Sequence, residues 1–469
     1  MVYIPHTAEE RRQMLDAIGV AEVEDLFADV PEQVRFPSLN LPAPRSEMEI
    51  MGELQKLAET NLNANRTPTF LGAGAYRHWV PSVVDYVISR GEFATAYTPY
   101  QAEVSQGTLQ AIFEYQSLIC DLTGMEVANA SHYDGATATA EAVIHAYNIF
   151  RKKRRKILIA PTVHPHYRAV VRTYTQGMDL EIVGDETLET SISDLVAQVD
   201  SETACVIVQN PNFLGQLESL DGLAEAIRER DSRTLLVVAA NPISLGLLKP
   251  PGHYGADIVV GEGQPLGLGL NFGGPYLGFY TTRMKYVRQM AGRLVGKTTD
   301  VDGKDGYVMT LTTREQHIRR DKATSNICSN QGLMALAATV YLSTLGKQGL
   351  RQLAELNYHK AHYAAQKIND LPGFSVPSAP PFFNEFVVHC PVPVAKLNQV
   401  LLDGGFDNTP ILGGYDLSQD YPELTNEMLV AVTEMNTRAE IDLFVNALED
   451  AGARQRAPAT IGDQQGGQR

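Results

Sequence analysis

A chain of 469 residues, 44% hydrophobic and 20% charged, is long enough for about three domains and has the composition of a globular protein. Asp and Glu outnumber Lys and Arg, 55 to 39, and the net charge of −16 argues against nucleic acid or an anionic membrane as the main partner. The longest apolar run, 235–240, is far too short to span a bilayer, and the opening MVYIPHTAEERRQML has neither a signal core nor the composition of a transit peptide, so a cytoplasmic location is expected. Cys120, Cys205, Cys328 and Cys390 lie far apart, form no metal-type pair and read as buried, reduced thiols.

Residues 1–69 read as a helical arm in which a Pro-rich passage, PSLNLPAPRSEMEI, separates helical stretches; Ser46 and Glu49 make a capping box for the second. Such an arm either wraps a partner subunit or lies as a surface extension. From 103 to 257 helical stretches alternate with short apolar runs, which predicts strands over 157–160, 180–183, 205–209, 235–240 and 258–260. That alternation implies a mainly parallel sheet covered on both faces, with its ligand site at the carboxyl ends of the strands. The basic run 151–156 suits solvated cations at a helix C-terminus, or a dock for an acidic partner.

A polar passage at 310–320 precedes a predicted helix at 329–346. From 349 the order is a long helix, a strand over 385–389, a helix at 394–402, a strand over 428–432 and a helix at 438–448. The expected divisions are an N-terminal helical arm (1–69), a large α/β domain (70–346), a small α+β domain (347–452) and a disordered tail (453–469) rich in Gln, Gly and Arg.

Three segments hold candidate chemistry. ANASHYDGATATAEA, 128–142, places small residues at a loop-to-helix junction, which suits either phosphate on the helix amides or close helix–sheet packing. His132 in it, and His164 beyond it, could stack on a cofactor or be satisfied core histidines. AYTPYQAEVSQG, 96–107, gathers Tyr97, Thr98, Tyr100, Gln101, Glu103 and Gln106 before a helix, where Pro99 and Glu103 also serve as turn and helix-start residues. REQHIRRDKATSNICSNQ, 314–331, sets Arg314, His317, Arg319 and Arg320 ahead of Thr324, Ser325 and Asn326, which can cap a helix or bind a phosphate or carboxylate.

A strand, loop and Gly-Gly-Pro turn over 255–278 resemble the part of aspartate-aminotransferase-type pyridoxal phosphate (PLP) enzymes that presents the Schiff-base lysine. Here no lysine occurs between Lys249 and Lys285; the loop offers Glu262 and Gln264, neither of which can supply the amine. The strand end that would carry the aspartate for the pyridine nitrogen has Ala240.

TPYQAEVSQG, CDLTGMEVANAS, REQHIRR and ATSNIC closely resemble the P-protein family of the glycine cleavage system, and specifically its N-terminal half, a separate alpha subunit in many bacteria. LGAGAYRHWVP, 71–81, fits the family's glycine-and-tyrosine loop less strictly. The resemblance implies the α/β fold type I of PLP-dependent transferases, with a mainly parallel large-domain sheet and a smaller α+β C-terminal domain. It further implies that a beta subunit holds PLP covalently, that the two form an α2β2 heterotetramer, and that glycine is decarboxylated with transfer of the aminomethyl group to the lipoyl arm of H-protein. This chain then completes the interface site: Thr324, Ser325 and Asn326 near the cofactor phosphate, and Tyr97, Tyr100, Glu103, Gln106 and His132 as catalytic candidates toward substrate or lipoyl. The alternatives are a non-catalytic scaffold or H-protein docking subunit, and an independent PLP enzyme with another lysine, against which Ala240 argues.

Overall fold

The computed structural model describes residues 5–404 and 406–456, without the side chains of 455 and 456. The chain divides after Leu62 into two units. In the first, Thr7 with Glu10 and Ser46 with Glu49 form capping boxes for α1 (Ala8–Ile18) and α2 (Glu47–Ala58), the second as expected from sequence.

The second unit opens with α3 (Ser82–Ile88), α4 (Gly91–Ala94) and α5 (Gln106–Thr123). Its centre is a seven-stranded sheet of β1 (Val127–Ala128), β2 (Lys156–Ile159), β3 (Glu181–Val183), β4 (Thr203–Asn210), β5 (Leu235–Ala240), β6 (Ile258–Glu262) and β7 (Gly278–Thr282). The spatial order is β1-β7-β6-β5-β4-β2-β3; β6 through β3 run parallel, and β7 is antiparallel to both neighbours. Between the strands run α6 (Gly135–Ile149), α7 (Pro165–Thr175), α8 (Ile192–Ala197) and α9 (Leu223–Arg230). All six residues of β5 are buried, which is why LLVVAA shows no alternation: helices cover both faces.

All five predicted strands are present within about two residues of their expected bounds. The strands not foreseen up to Thr310 are the two-residue β1 and the two of an antiparallel ribbon, β8 (Leu294–Thr299) and β9 (Asp305–Thr310). The ribbon carried a legible sign: Asp302-Gly303, with Gly303 at φ 78° and Asp300 accepting from the amides of Asp302 and Lys304. After it comes a one-turn helix, α10 (Gln316–Arg319). The basic run is less solvated than expected, because buried Arg154 pairs with Asp231 at 2.6 Å.

The helices expected at 329–346 and beyond 349 are both present, as the two parts of α11 (Gly332–Asn369) on either side of a kink at Gly346 (φ 59°, ψ −175°). Ala337, Ala338 and Tyr341 enter the core around the sheet, whereas Ala361, Ala364 and Ile368 enter a second core. That core belongs to β10 (Glu385–His389), α12 (Val394–Leu402), β11 (Tyr415–Asp416), β12 (Glu427–Ala431) and α13 (Arg438–Arg456), with strand order β10-β12-β11. Because α13 reaches 456, the first four positions of the predicted disordered tail are helical; 457–469 lie outside the described residues. Among the described residues no helix is long and apolar enough to cross a membrane.

Phe70 and Phe444 stack at 4.0 Å, both fully buried, joining the start of this unit to the second core. Phe444→Ala is expected to lower the unfolding free energy of that core by about 3–5 kcal/mol through lost burial and the cavity left behind. Urea titration checks this; a loss under about 1 kcal/mol would show that the site collapses around the deletion.

Candidate functional site

The carboxyl ends of β4, β5 and β6 surround a cavity of about 40 Å³ lined by Tyr76, His164, Gln209, Ala240, Glu262 and Glu385, among others. Glu262, the last residue of β6, turns its carboxyl onto backbone donors from three segments. Oε2 accepts from Gly135 N at 3.0 Å, and Oε1 from Gln264 N at 2.8 Å and Leu277 N at 3.2 Å. Gly135 is the first residue of α6, so the helix terminus singled out for phosphate already holds a carboxyl of this chain. Fully buried Gln264 clamps Tyr76, accepting from its N at 3.0 Å and donating to its O at 2.9 Å. Glu385 accepts from Ala73 N at 2.7 Å and from the Tyr76 hydroxyl at 2.6 Å.

Burial pushes Glu262 up to about 8 and Glu385 up to about 7, each against the pull of its hydrogen-bond donors. Burial lowers His164 to about 4; Nε2 donates to Ala73 O at 2.9 Å, and Nδ1 accepts from His166 N at 3.1 Å. A space of about 40 Å³ holds roughly three waters, not a phosphorylated pyridine ring. With Glu262 ending β6, Gln264 in the loop after it and Ala240 ending β5, these residues do not fit a covalently held PLP.

A second assembly gathers the two polar strings. Arg293, 3% exposed, donates through Nη2 to the Tyr100 hydroxyl at 3.1 Å and to Cys328 Sγ at 2.9 Å, and its Nε lies 3.3 Å from Glu315 Oε2. Its guanidinium also sits 4.8 Å over the Tyr100 ring. Thr98 and Ser329 share a hydroxyl–hydroxyl bond of 2.7 Å. Ser131 donates to Ser329 O at 3.0 Å and accepts from Gln331 N at 3.0 Å, bringing the 128–142 segment to the same place. The cavity here is about 270 Å³, with Phe93, Tyr97, Thr98, Arg293, Ser329 and Leu333 in its walls.

Of the residues named from sequence, Tyr97 is 82% exposed beside this cavity and Tyr100 is half-exposed on Arg293. Glu103 is exposed in the turn Ala102–Val104. Gln106 and His132 are corrected by the geometry. The Gln106 amide is spent on backbone, donating to Ala102 O at 2.7 Å and Tyr307 O at 2.9 Å and accepting from Tyr307 N at 2.9 Å, so it clamps β9. His132 is wholly buried against Tyr280, 4.8 Å between rings, and burial lowers it to about 3, so it is a neutral core residue.

Ser325 donates to Glu141 Oε1 at 2.6 Å and accepts from Ile327 N at 3.1 Å, leaving half-buried Thr324 and exposed Asn326 uncommitted on the same loop. Glu141 is 2% exposed on α6 and is pushed up to about 7 by burial. Cys205 and Cys390 are buried as expected, but Cys120 and Cys328 are only half-buried. The sequence reading missed Arg293, Glu141 and Glu385. A charge inside an otherwise apolar stretch, as in MAGRLV around Arg293, was the available sign.

Residues 1–448 match the glycine cleavage system P-protein family. The chain is 56% identical to a probable glycine dehydrogenase (decarboxylating) subunit 1 of Thermomicrobium roseum, over 97% of this chain and 100% of the relative. It is 54% identical to one of Geobacillus kaustophilus, over 96% of this chain and 99% of the relative. The crystal structure of an inhibitor-bound glycine decarboxylase (P-protein) superposes with a TM-score of 0.87 at 44% identity, covering 96% of this chain and 100% of that one. A Lactobacillus brevis glutamate decarboxylase, at 14% identity and a TM-score of 0.67 over 92% of this chain and 98% of that one, shares the fold. Fold type I is thereby established.

The raised carboxyls imply a pH dependence. Glu141 and Glu385, ordinarily near 4.5 and here near 7, bind their protons more tightly when folded. Their contribution is complete below about pH 4.5 and is lost as pH rises through 7, about 3 kcal/mol per group. Melting temperature is expected to fall from pH 5 to pH 8, and Glu141→Gln or Glu385→Gln to flatten that fall. An unchanged slope in both variants would show that these carboxyls are ionised at neutral pH.

Proposed function

The chain belongs to the glycine cleavage system P-protein family, as a subunit of glycine dehydrogenase (decarboxylating) of the subunit 1 type, and we propose that it completes the reactive site without holding the cofactor itself. In this reading a beta subunit holds PLP covalently through its own lysine, the two chains assemble as α2β2 in the cytoplasm, and the lipoyl arm of H-protein takes the aminomethyl group left when glycine loses CO2. PLP there supplies the electron sink for decarboxylation. The observation that carries the reading is the small pocket at the carboxyl edge of a PLP-type sheet, lined by Glu262 and Glu385 with no lysine in its wall, beside which buried Gln264 is spent on the Tyr76 backbone.

This chain's own contribution is to position groups. Arg293 holds Tyr100 and the 315–328 passage in one arrangement, which sets Tyr97, Tyr100 and Glu103 toward substrate or the lipoyl entrance. On the neighbouring loop Ser325, tied to Glu141, fixes the backbone, and Thr324 and Asn326 keep side chains free to meet the cofactor phosphate of the partner. The polar passages and the cavity beside them support this division of labour over a bare scaffold.

Two measurements test the proposal. The chain alone, incubated with PLP and borohydride, is expected to give no reduced adduct at a specific lysine and no glycine decarboxylation; an adduct with turnover would falsify the reading. In the assembled enzyme, Thr324→Ala removes a hydrogen bond to a charged group worth roughly 1.5–3 kcal/mol, so PLP affinity should fall about tenfold or more with assembly intact. A lowered melting temperature with unchanged PLP dissociation would retire the loop's cofactor role and leave a structural one.

A further inference from the structure

The cavity at the carboxyl ends of β4, β5 and β6 is lined by polar groups that the fold does not use up. Gln209 spends its side-chain oxygen on His164 N at 2.9 Å, and Asn241 spends its own on Ile243 N at 2.9 Å. Among the described residues neither carboxamide NH2 group has an acceptor, and the Tyr167 hydroxyl in the same wall has no hydrogen-bond partner. Donors withdrawn from bulk water without an acceptor are costly, and three of them around one small space suit a single anionic group.

The same wall also offers acceptors. Glu385 takes one hydrogen bond on each oxygen, from Ala73 N at 2.7 Å and from the Tyr76 hydroxyl at 2.6 Å, and keeps about two of a carboxylate's roughly four acceptor positions. Glu262 takes three and keeps about one. No lysine or arginine lines the cavity to answer either carboxyl. A ligand that matches this wall has an anionic end and a cationic end. Size narrows the choice, since a space of about 40 Å³, room for roughly three waters, admits glycine but not an amino acid with a long side chain.

We propose that this cavity binds a small α-amino acid zwitterion of glycine's size, its carboxylate held by Gln209, Asn241 and Tyr167 and its ammonium by Glu385. With no lysine in the wall, glycine here is a ligand and not a substrate. Glu385 lies on β10 and holds the backbone at Ala73, so an occupant also bridges the small-domain core to the loop of Tyr76.

Occupancy is linked to a proton. Burial keeps Glu385 protonated up to about 7, and an ammonium beside it favours the ionised form. Binding below that pH therefore releases a proton, and affinity rises from about pH 5.5 to 7.5. The other titratable groups on the cavity stay unchanged over most of that range: His164 is lowered to about 4, Tyr76 and Tyr167 are raised, and Glu262, with Asp134 nearby, is pushed up to about 8.

The test is calorimetric titration of glycine into the full chain without PLP or a second subunit, so that no reactive centre competes and the two-subunit reading is not at stake. One saturable site per chain is expected, tightening as pH rises. Acetate and methylamine, each carrying one end of the zwitterion, should bind at least tenfold more weakly. Ala240→Leu fills the cavity without removing a side-chain hydrogen bond and is expected to abolish binding. Should that variant misfold, hydrogen exchange of the parent decides instead, since the amides of Ala73 and Tyr76 must gain protection with glycine. No saturable heat means that water alone meets these donors and overturns the proposal. Undiminished binding by folded Ala240→Leu, or no gain in protection, overturns the location. Methylamine binding as tightly as glycine overturns the zwitterion in favour of a bare cation.

Discussion

A guanidinium that keeps 3% of its surface in contact with solvent cannot remain charged without close partners, and Arg293 finds them in segments far apart in the chain. Tyr100 comes from before α5, Glu315 and Cys328 from after β9. Because the donors of a guanidinium fork have fixed directions, the Nη2 hydrogen bonds set Tyr100 and Cys328 relative to one another, and Glu315 lies within ion-pair distance of Nε. The Thr98–Ser329 and Ser131–Ser329 contacts then follow nearby. The arrangement of both polar strings, and of the cavity of about 270 Å³ beside them, depends on this one buried cation.

The two cavities are chemical opposites. Among the lining residues of the smaller one there are two carboxyls and no lysine or arginine, and burial favours the neutral form of both acids. The larger one is mostly apolar with Arg293 in its wall. In a sheet of this topology ligands collect at the carboxyl ends of the strands. There Glu262 has turned inward and occupies the α6 terminus with its own carboxyl. What remains accessible lies around the loops.

Some of this was legible and some was not, for identifiable reasons. The strands Cys205–Gln209 and Leu235–Ala240 were plain because parallel strands buried on two faces must be continuously apolar. The β8–β9 ribbon was overlooked because half of β8 is polar and exposed, although its Asp-Gly turn was there to be read. His132 and Gln106 looked catalytic because an imidazole and a carboxamide can both do chemistry, and neither stands in an apolar run that would mark it for the core. Burial against Tyr280 and the clamp on Tyr307 are facts of the third dimension. Ser325 was read from sequence as a phosphate-binding candidate, and its hydroxyl faces Glu141, a residue 184 positions away that composition gave no reason to suspect.

By itself the sequence determined the class of sheet, the family resemblance and the absence of a Schiff-base amine between Lys249 and Lys285. Periodicity is local, and a group that is missing is missing in every conformation. Only the tertiary structure decided which polar groups are spent on the fold and which are free. Gln264 meets Tyr76 across 188 residues, Arg293 meets Tyr100 across 193, and Glu385 meets Tyr76 across 309. A hydrogen bond requires its atoms within about 3 Å in a favourable direction, and distance along the chain carries no record of that approach.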